Sequence, residues 1–377
     1  MLVPAILAAA AVTALYLAPF GPTMLDLGVY RAGARALIDG ADVYKVVGPG
    51  GLPFTYPVFA AVVFVPFAVV PPVVAKLAIT LLSLCALFVL CYLTLREVLP
   101  RAERVVLLRW SLPAALVASV AYPVLGTLLY GQVNLVLAGM VLIDVLVVRG
   151  RARGVLVGLA TGIKLTPGLF VVYYLATGQW RAARNAALTA GATLAVGLLV
   201  APGPTWAFLT GYMLDPGRTG DVAFNGNQSI LAMTARLLGD THPPKALTWL
   251  VAAVVVLAAM VAARRLHARG QELAAVCAVA AAALLASPVS WTHHWVWCVP
   301  ATGVLAAWAY RGGPWRVTPW RWCVIGAAAL VLWIGPMQFT PADGLPAVMA
   351  DAYGLLALVF LGWAALQARR APDVTGR

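Results

Sequence analysis

Long apolar runs alternate with short polar segments along the whole chain. A helix needs about 20 apolar residues to cross the hydrocarbon core of a bilayer, and many of these runs approach that length. The pattern therefore predicts an all-α fold, a polytopic transmembrane helical bundle. We expect crossings at residues 3–20, 73–95, 110–128, 133–148, 186–202, 246–263, 273–289, 294–310, 322–338 and 352–368.

The composition supports this interpretation. Hydrophobic residues make up 63% of the 377 residues and charged residues 10%, with a mean hydropathy of +0.91, which is typical of membrane proteins. The net charge of +13 does not indicate a nucleic-acid partner, because Lys and Arg form short clusters between apolar runs. Such clusters mark cytoplasmic loops that lie next to membrane lipids. The five cysteines have neither metal nor disulfide spacing.

The apolar run at 57–70 conflicts with a simple alternation between the two sides of the membrane. Counted as a crossing, it would place the following arginine cluster on the outer side. Its length of about 21 Å is also short for a hydrocarbon core of ~30 Å. We therefore predict that residues 21–72 form the first external loop, and that residues 57–70 within it form an amphipathic helix lying on the outer surface.

Residues 154–176 present a second conflict, since Lys164 and Pro167 interrupt an otherwise apolar run. A hairpin of two short helices, with Lys164-Leu165-Thr166-Pro167 at its tip, enters and leaves on the same side of the membrane. It therefore restores the alternation of loops between the two sides. Broken helices are tolerated where they line a protein cavity. The total is about 12 membrane helices in a single membrane domain, residues 1–377, with both ends cytoplasmic and a further external loop at 203–245.

With this topology, the unusual polar groups fall on one side of the membrane. Polar residues at membrane depth are costly and mark functional sites, and their convergence from distant parts of the chain predicts a reaction chamber. The groups on the outer face are Asp26, Tyr56, Gln132, Asn134, Lys164, Asn225-Gly226-Asn227-Gln228-Ser229 and Trp291-Thr292-His293-His294.

Each of these residues also has a structural interpretation, and the residues alone leave both open. Asp26 can cap a surface helix beginning near Leu27, and Lys164 can extend from a helix end to the interface. The side chains of Gln132 and Asn134 can cap or bridge helices. Residues 225–229 can form a polar turn, and the tryptophans can belong to an interfacial belt. The two vicinal histidines project differently, and no zinc motif is present.

One carboxylate, one lysine and a histidine near the outer face suit sugar transfer from a lipid-linked donor to a hydroxyl group. The reaction needs a base for the hydroxyl proton and cations or hydrogen-bond donors for the departing phosphate. Asp26 suits the first role and Lys164 the second, while a histidine can add a donor. A hydrolase of the paired-acid type would need a second carboxylate.

Several short blocks of this sequence are shared with a known family. They are Asp26-Leu27-x-Val29-Tyr30 with Leu37-x-x-Gly40 and Val43-Tyr44, Phe54-Thr55-Tyr56-Pro57, Gly131-Gln132-x-Asn134, Gly162-Ile163-Lys164-Leu165-Thr166-Pro167, Asn225-x-Asn227-Gln228-Ser229, and Ser287-Pro288-x-Ser290-Trp291-x-His293-His294-Trp295. As an ordered set over roughly residues 1–310, they resemble glycosyltransferase family 87. That family comprises polyprenyl-phosphomannose-dependent alpha-(1,2)-mannosyltransferases of mycobacteria and related actinobacteria, with the GT-C membrane fold.

The resemblance implies a mannosyltransferase of the plasma membrane, with its active site on the external face. Its donor would be a polyprenyl-phosphate sugar and its acceptor a lipid-linked glycan, such as a phosphatidylinositol mannoside or lipomannan, with inversion at the sugar carbon. Asp26 would be the general base. The other residues carried over are His294 as a second catalytic residue, and Lys164, His293, Gln132, Asn134, Tyr56, Asn227, Gln228 and Trp291 as substrate-binding residues.

Two rival functions stay open at this point. A transferase could use another lipid-linked sugar, such as decaprenyl-phosphoarabinose. A lipid flippase or secondary transporter would also contain broken helices and a lysine within the membrane, although no inverted repeat is visible. The sequence names no certain cofactor and no metal ligands. It leaves a divalent metal, the acceptor, the oligomeric state and the division of roles between His293 and His294 undecided.

Overall fold

A computed structural model describes residues 23–239, 243–310, 319–336 and 345–369. These residues form helices joined by turns and short loops, and the only extended pairings among them are two isolated bridges, Val47 with Pro53 and Asn227 with Trp291. The all-α prediction is confirmed for these residues. The first predicted crossing, 3–20, lies outside them.

The described helices are numbered here in chain order. They are α1 Leu25–Ile38, α2 Val58–Val69, α3 Pro72–Val98, α4 Arg104–Ser119, α5 Tyr122–Tyr130, α6 Asn134–Leu146, α7 Val155–Ile163, α8 Leu169–Ala176, α9 Trp180–Val200, α10 Pro202–Thr210, α11 Ile230–Leu238, α12 Lys245–His267, α13 Glu272–Ala286, α14 Cys298–Tyr310, α15 Pro319–Ile334, α16 Leu345–Ala350 and α17 Ala352–Gln367.

Three of the described helices, α3, α9 and α12, are long and apolar enough to cross a membrane. The pair α4 and α5 becomes a fourth candidate if it is taken as one broken crossing. Shorter apolar helices include α2, α6, α13, α14 and α17. The structure therefore describes a helical membrane protein, while the count of about 12 membrane helices stays a prediction.

The segment predicted as a crossing at 110–128 lies in two helices, bent by 79° at their junction. Ala121 has an extended backbone, and Pro123 occupies the first turn of α5. A proline has no N–H to continue the preceding helix, and it restricts the residue before it. A new helix therefore begins at Tyr122, and the predicted crossing at 110–128 is either one broken span or a re-entrant pair of helices.

Helices α1 and α2 pack against each other in the predicted first loop. Helix α1 carries Arg31 and Arg35 on its less buried side, whereas Val29, Tyr30 and Ala34 are buried, so it has an amphipathic pattern. Helix α2 has no polar side chain at all and also contacts α7 and α9. The helix predicted at 57–70 is therefore apolar and not amphipathic, whereas α1 has the amphipathic pattern. The position of α2 on the outer surface stays a prediction.

Helices α7 and α8 form the hairpin. A Cβ atom on Gly154 would lie 2.1 Å from the Ala182 carbonyl oxygen, and one on Gly162 would lie 2.3 Å from the Thr193 hydroxyl oxygen. Helix α7 therefore runs beside α9 in the same direction, in close backbone contact. Helix α8 must run back, because α9 begins only four residues after α8 ends. The chain reverses between α7 and α8, at the segment that begins with Lys164.

The base of the hairpin is fixed by Asp144, which is fully buried at the end of α6. Its carboxylate accepts hydrogen bonds from the backbone N–H groups of Gly154 at 2.6 Å and Leu156 at 2.8 Å. The Tyr174 hydroxyl donates to the same carboxylate at 2.6 Å. A carboxylate at a helix N-terminus satisfies otherwise unpaired N–H groups, so this network holds both helices of the hairpin at one end.

The apolar core is divided between two main clusters. One joins α3, α6, α8 and α13, with Leu90, Val141 and Val276 fully buried. The other joins the first loop to α7 and α10 through Tyr30, Phe54 and other side chains. The polar groups described next lie on segments that border both clusters.

Candidate active site

Asp26 is the second residue of α1, not its cap. The N-cap position belongs to Met24, which has a left-handed backbone with φ of 47°, a conformation that a non-glycine residue adopts at some cost. Met24 is buried and packs near Gly131. The carboxylate of Asp26 is 19% exposed. The capping interpretation of this residue is therefore wrong.

Gln132 links Asp26 to two buried tyrosines. Its carbonyl oxygen accepts a hydrogen bond from the Tyr30 hydroxyl at 2.6 Å, and its amide donates to the Tyr56 hydroxyl at 2.9 Å. The same side chain lies close enough to the Asp26 carboxylate to lower its pKa. Gln132 is 1% exposed, and its hydrogen bonds to the two tyrosines hold it beside Asp26.

Lys164 occupies the break between α7 and α8, and its ammonium group points inward. The Nζ atom donates to the Asn134 side-chain oxygen at 2.9 Å and lies 3.1 Å from Nε2 of His294. It is also 5.8 Å from the centre of the Tyr56 ring, close enough for a cation–π contact. With these partners inside the protein, Lys164 does not extend to an interface.

The two histidines lie on a short 3-10 turn, Thr292–His294, after α13. The His293 carbonyl oxygen accepts hydrogen bonds from the Thr127 hydroxyl at 2.7 Å and the Asn134 amide at 2.9 Å. The two imidazole rings are perpendicular, with centres 4.7 Å apart. The turn is therefore held against α5 and α6, and it presents the two rings in different directions.

His293 faces Asp26. Its Nε2 atom lies 3.9 Å from Oδ2 of Asp26, too far for a direct hydrogen bond. This buried nitrogen has no hydrogen-bond partner among the described residues. The His293–Asp26 separation suits a bridging water or hydroxyl group.

Burial sets the ionisation of these groups, which lie outside the long membrane-crossing helices. It raises the pKa of Asp26 to about 6, against the opposing charge of Lys164. It lowers the pKa of Lys164 to about 7, with Asp26 opposing the change. Burial and the charge of Lys164 lower the pKa of His293 to about 3 and also depress that of His294. Both histidines are therefore neutral near pH 7, where they act through hydrogen bonds and not through charge.

Most of these groups open into one cavity of about 190 Å³, although His293 does not line it. Asp26, Tyr56, Lys164, Trp291 and His294 all line it. Gln132 and Asn134 do not line it; they lie behind Asp26 and Lys164 and position them. The cavity therefore combines a carboxylate suited to act as a base with an ammonium group suited to bind an anion.

Comparison of the sequence with known proteins identifies the family of this chain. Residues 54–288, more than half of the chain, match the sequence model of glycosyltransferase family 87. The chain is 34% identical over 348 residues to a polyprenol-phosphate-mannose-dependent alpha-(1-2)-phosphatidylinositol mannoside mannosyltransferase of Mycobacterium tuberculosis, covering 86% of this chain and 78% of that protein. The chain belongs to glycosyltransferase family 87.

Two proteins of Mycolicibacterium smegmatis extend the comparison of this family 87 chain. One carries the same name as the Mycobacterium tuberculosis relative and is 36% identical, covering 86% of this chain and 77% of the relative. The other is named a polyprenol-phosphate-mannose-dependent alpha-(1-2)-phosphatidylinositol pentamannoside mannosyltransferase. It is 33% identical, covering 97% of this chain and 90% of the relative. No solved structure matched the chain.

The family 87 match includes Tyr56, Gln132, Asn134 and Lys164. Asp26 lies before the matched range, and the histidine pair lies after it. The geometry nevertheless joins all of these groups in one site, because the His293 carbonyl is bound by Asn134 and Lys164 contacts His294.

Asn227 and Gln228 are the two predicted site residues that the structure places elsewhere. The Gln228 amide donates to the carbonyl oxygens of Asn225 and Ala350, each at 2.6 Å, and its oxygen accepts from the Tyr353 N–H at 3.0 Å. Asn227 accepts from the Ser290 N–H at 2.9 Å. Both residues are fully buried and neither lines the cavity. Asn227 binds this loop of the family 87 chain to the segment before Trp291, and Gln228 binds it to the junction of α16 and α17.

The sequence analysis missed several residues that line the cavity. They are Thr166, Tyr212, Asp215, Thr219 and Ser287. Asp215 had a usable signal, because acidic residues are as scarce in its loop as around Asp26. Among the described residues, no three His, Cys, Asp or Glu side chains are grouped as a metal site.

Proposed function

We propose that this family 87 chain transfers a mannosyl residue from a polyprenyl-phosphate-mannose donor to a hydroxyl group of a phosphatidylinositol mannoside or related lipid-linked glycan. One observation carries the proposal. Asp26 and Lys164, which are far apart in the sequence, line the same cavity. The names of the mycobacterial relatives supply the donor and the acceptor.

Asp26 acts as the general base. It takes the proton from the acceptor hydroxyl while that oxygen forms a bond to the anomeric carbon of the mannose. The bond between this carbon and the phosphate oxygen breaks, and the polyprenyl phosphate leaves with the bonding electrons. Attack from the face opposite the phosphate inverts the anomeric carbon. The released proton stays on Asp26, whose raised pKa favours the protonated form.

Lys164 and His294 bind the phosphate. An ammonium group is a point-charge partner for phosphate, and it stabilises the negative charge that develops as the phosphate leaves. His294 lies 3.1 Å from Lys164 Nζ and is neutral, so its imidazole contributes hydrogen bonding to the phosphate and orientation to the lysine. His293 holds the water or hydroxyl group beside Asp26.

The donor lipid has a place beside this cavity. An apolar groove of about 250 Å³ lies between α2, α7, α9 and α10. It shares Pro57, Leu165 and Phe208 with the polar cavity. A polyprenyl chain in this groove would place its phosphate at the cavity, near Lys164, which is next to Leu165 in the chain.

The remaining predicted residues take revised roles. Tyr56 and Trp291 line the cavity, where Tyr56 contacts the transferred sugar and Trp291 contacts the acceptor glycan. Gln132 and Asn134 position Asp26 and Lys164, and Asn227 and Gln228 hold the loop that leads to Trp291. The chain is a single multi-pass domain of the plasma membrane, with about 12 membrane helices and its cavity open to the external face.

Replacing Asp26 with Asn tests the proposal. Asp26→Asn keeps the size of the side chain but removes the base, so transfer should fall by at least 100-fold, as expected for loss of general base catalysis. The assay measures labelled mannose transferred to a phosphatidylinositol mannoside by the purified chain in liposomes. The matched control is Asp39→Asn, because Asp39 lies at the other end of α1 and is exposed.

Three outcomes would count against the proposal. Full transfer by Asp26→Asn would remove Asp26 as the base. Transfer of arabinose in place of mannose, with both lipid-phosphate donors supplied, would favour the rival transferase. Lipid movement between leaflets without any sugar transfer would favour the transporter.

A further inference from the structure

A second part of the cavity wall comes from a segment that has no role in the proposed reaction. After α10, the chain forms two consecutive 3-10 turns, Tyr212–Leu214 and Pro216–Thr219. Tyr212, Asp215 and Thr219 of this segment line the cavity together with Trp291. The cavity thus has a wall of aromatic and acidic groups in addition to the Lys164 group.

The first loop holds these turns in place. Arg218 donates a hydrogen bond to the Tyr44 carbonyl oxygen at 2.9 Å, and its guanidinium lies 4.1 Å from the centre of the Tyr212 ring. The Tyr212 ring also packs on the Tyr44 ring, with centres 5.0 Å apart. Tyr212 is therefore held between Arg218 and Tyr44, which fixes the edge of the wall.

Trp291 is held equally firmly. Its backbone forms an isolated bridge with Asn227, and the next residue, Thr292, donates its N–H to the Gly226 carbonyl at 2.9 Å. The Phe224 ring packs edge-on against the indole. The indole stays partly exposed and lines the cavity, so it offers a fixed aromatic surface.

Asp215 supplies the acidic group. One of its carboxylate oxygens accepts the Gly217 N–H at 3.1 Å, which orients the side chain. The residue is exposed, and the described contacts give its other oxygen no partner. A carboxylate accepts strong hydrogen bonds from hydroxyl groups.

Charge divides the cavity between two kinds of ligand. The ammonium of Lys164 attracts phosphate, whereas the carboxylate of Asp215 repels it. A neutral sugar ring suits the second part, because its C–H face packs on an aromatic ring and its hydroxyl groups donate to a carboxylate. We propose that Tyr212, Asp215 and Trp291 form a subsite for the terminal hexose of the acceptor glycan. This inference rests on the proposed function.

Asp215→Asn, with Asp221→Asn as its control, tests this subsite. Both aspartates are exposed, and each binds the backbone N–H two residues further on. Only Asp215 lines the cavity. Asparagine keeps an oxygen for the turn but loses the charge, so folding is preserved in both variants.

We expect Asp215→Asn to raise the KM for a phosphatidylinositol mannoside acceptor roughly tenfold, because a charged hydrogen bond is lost. The KM for polyprenyl-phosphate mannose should not change. Asp221→Asn should leave both KM values as in the wild type. Trp291→Phe should also raise only the acceptor KM, by a smaller factor, since an aromatic surface remains.

Direct binding separates this inference from the proposed function. Labelled phosphatidylinositol mannoside is titrated onto the solubilised full chain, without donor. Weaker binding by Asp215→Asn than by Asp221→Asn supports the subsite even if no mannosyl transfer is detected. Equal binding by the two variants, or an equal rise in donor and acceptor KM, overturns it.

Discussion

At the scale of single residues, the site depends on two charges that burial works against. The environment raises the pKa of Asp26 and lowers that of Lys164, so each side chain resists the ionised form that the reaction needs. Their mutual attraction opposes both shifts, and the Gln132 side chain also lowers the pKa of Asp26. Such opposed shifts are typical of functional sites.

The activity of the wild-type protein should therefore have a narrow pH optimum. As the pH falls through about 6, Asp26 becomes protonated and loses its function as a base. As it rises through about 7, Lys164 loses the charge that binds phosphate. We expect a bell-shaped profile of kcat/KM for the donor, with its maximum between these two values and apparent pKa values that belong to the pair.

The measurement is a series of initial rates at different pH values, from which kcat/KM reports the pKa values of the free enzyme. The Lys164→Arg variant is its control, because arginine keeps its charge throughout this range, so the alkaline limb should disappear while the acid limb stays. A flat wild-type profile between about pH 5 and 8 would contradict the assignment of both groups.

Sequence reasoning identified Asp26, Lys164 and the histidine pair because charged and polar residues are scarce in an apolar chain, so each one stands out. It could not predict that Asn227 and Gln228 lie outside the cavity. Their partners at Ser290, Ala350 and Tyr353 lie about 60 to 125 residues further along the chain, so only the folded chain shows that their hydrogen bonds are already used.

At the scale of elements, the hairpin of α7 and α8 positions Lys164. Helix α7 has only nine residues, too few to be stable alone in water. Its stability comes from the close contact with α9 and from the Asp144 network at its base. The lysine and proline in an apolar run predicted the reversal. The bend between α4 and α5 was not predicted, because a straight helix and a bent pair of helices have the same pattern of apolar residues.

Gly158→Ala should loosen this hairpin. The added Cβ would lie 2.5 Å from the Ala186 carbonyl oxygen and equally close to Thr189, so the two backbones must separate. We expect a loss of about 1–3 kcal/mol of stability, as for other overpacked sites, together with reduced transfer activity. The midpoint of thermal unfolding of the solubilised full chain measures the first effect.

Gly191→Ala is the control for this helix pair. Gly191 lies in α9, and an added Cβ would meet no atom within 4 Å. Alanine also favours a helix over glycine, so the midpoint should stay the same or rise slightly. Equal unfolding midpoints for the two variants would show that close α7–α9 contact does not hold the hairpin.

At the scale of the whole molecule, the functional groups gather at one end of the bundle. Lys164 lies at the tip of the hairpin, whereas Asp144, at its base, lies near a cluster of arginines that includes Arg151 and Arg153. The charge pattern along the sequence predicted that Lys164 and the arginine cluster lie at opposite ends of the hairpin. It could not supply the cavity itself, which forms only when α1, the hairpin and the histidine turn meet.

Cysteine labelling should place these two ends on opposite sides of the membrane. In a background without the native cysteines, Asp221→Cys should react with a membrane-impermeant maleimide on intact cells, and Arg151→Cys only after permeabilisation. Both positions are exposed, so accessibility within the fold does not decide the result. Reaction of both variants on intact cells would overturn the predicted topology.

The apolar groove proposed to hold the donor lipid has a consequence for how the enzyme meets its donor. A lipid held by its prenyl chain is delivered by lateral diffusion within the bilayer, not from bulk water. The relevant donor concentration is then a mole fraction in two dimensions. Adding inert phospholipid lowers that fraction and slows the reaction even when the total amounts of enzyme and donor in the sample are unchanged. Saturation is therefore set by the lipid composition around the protein.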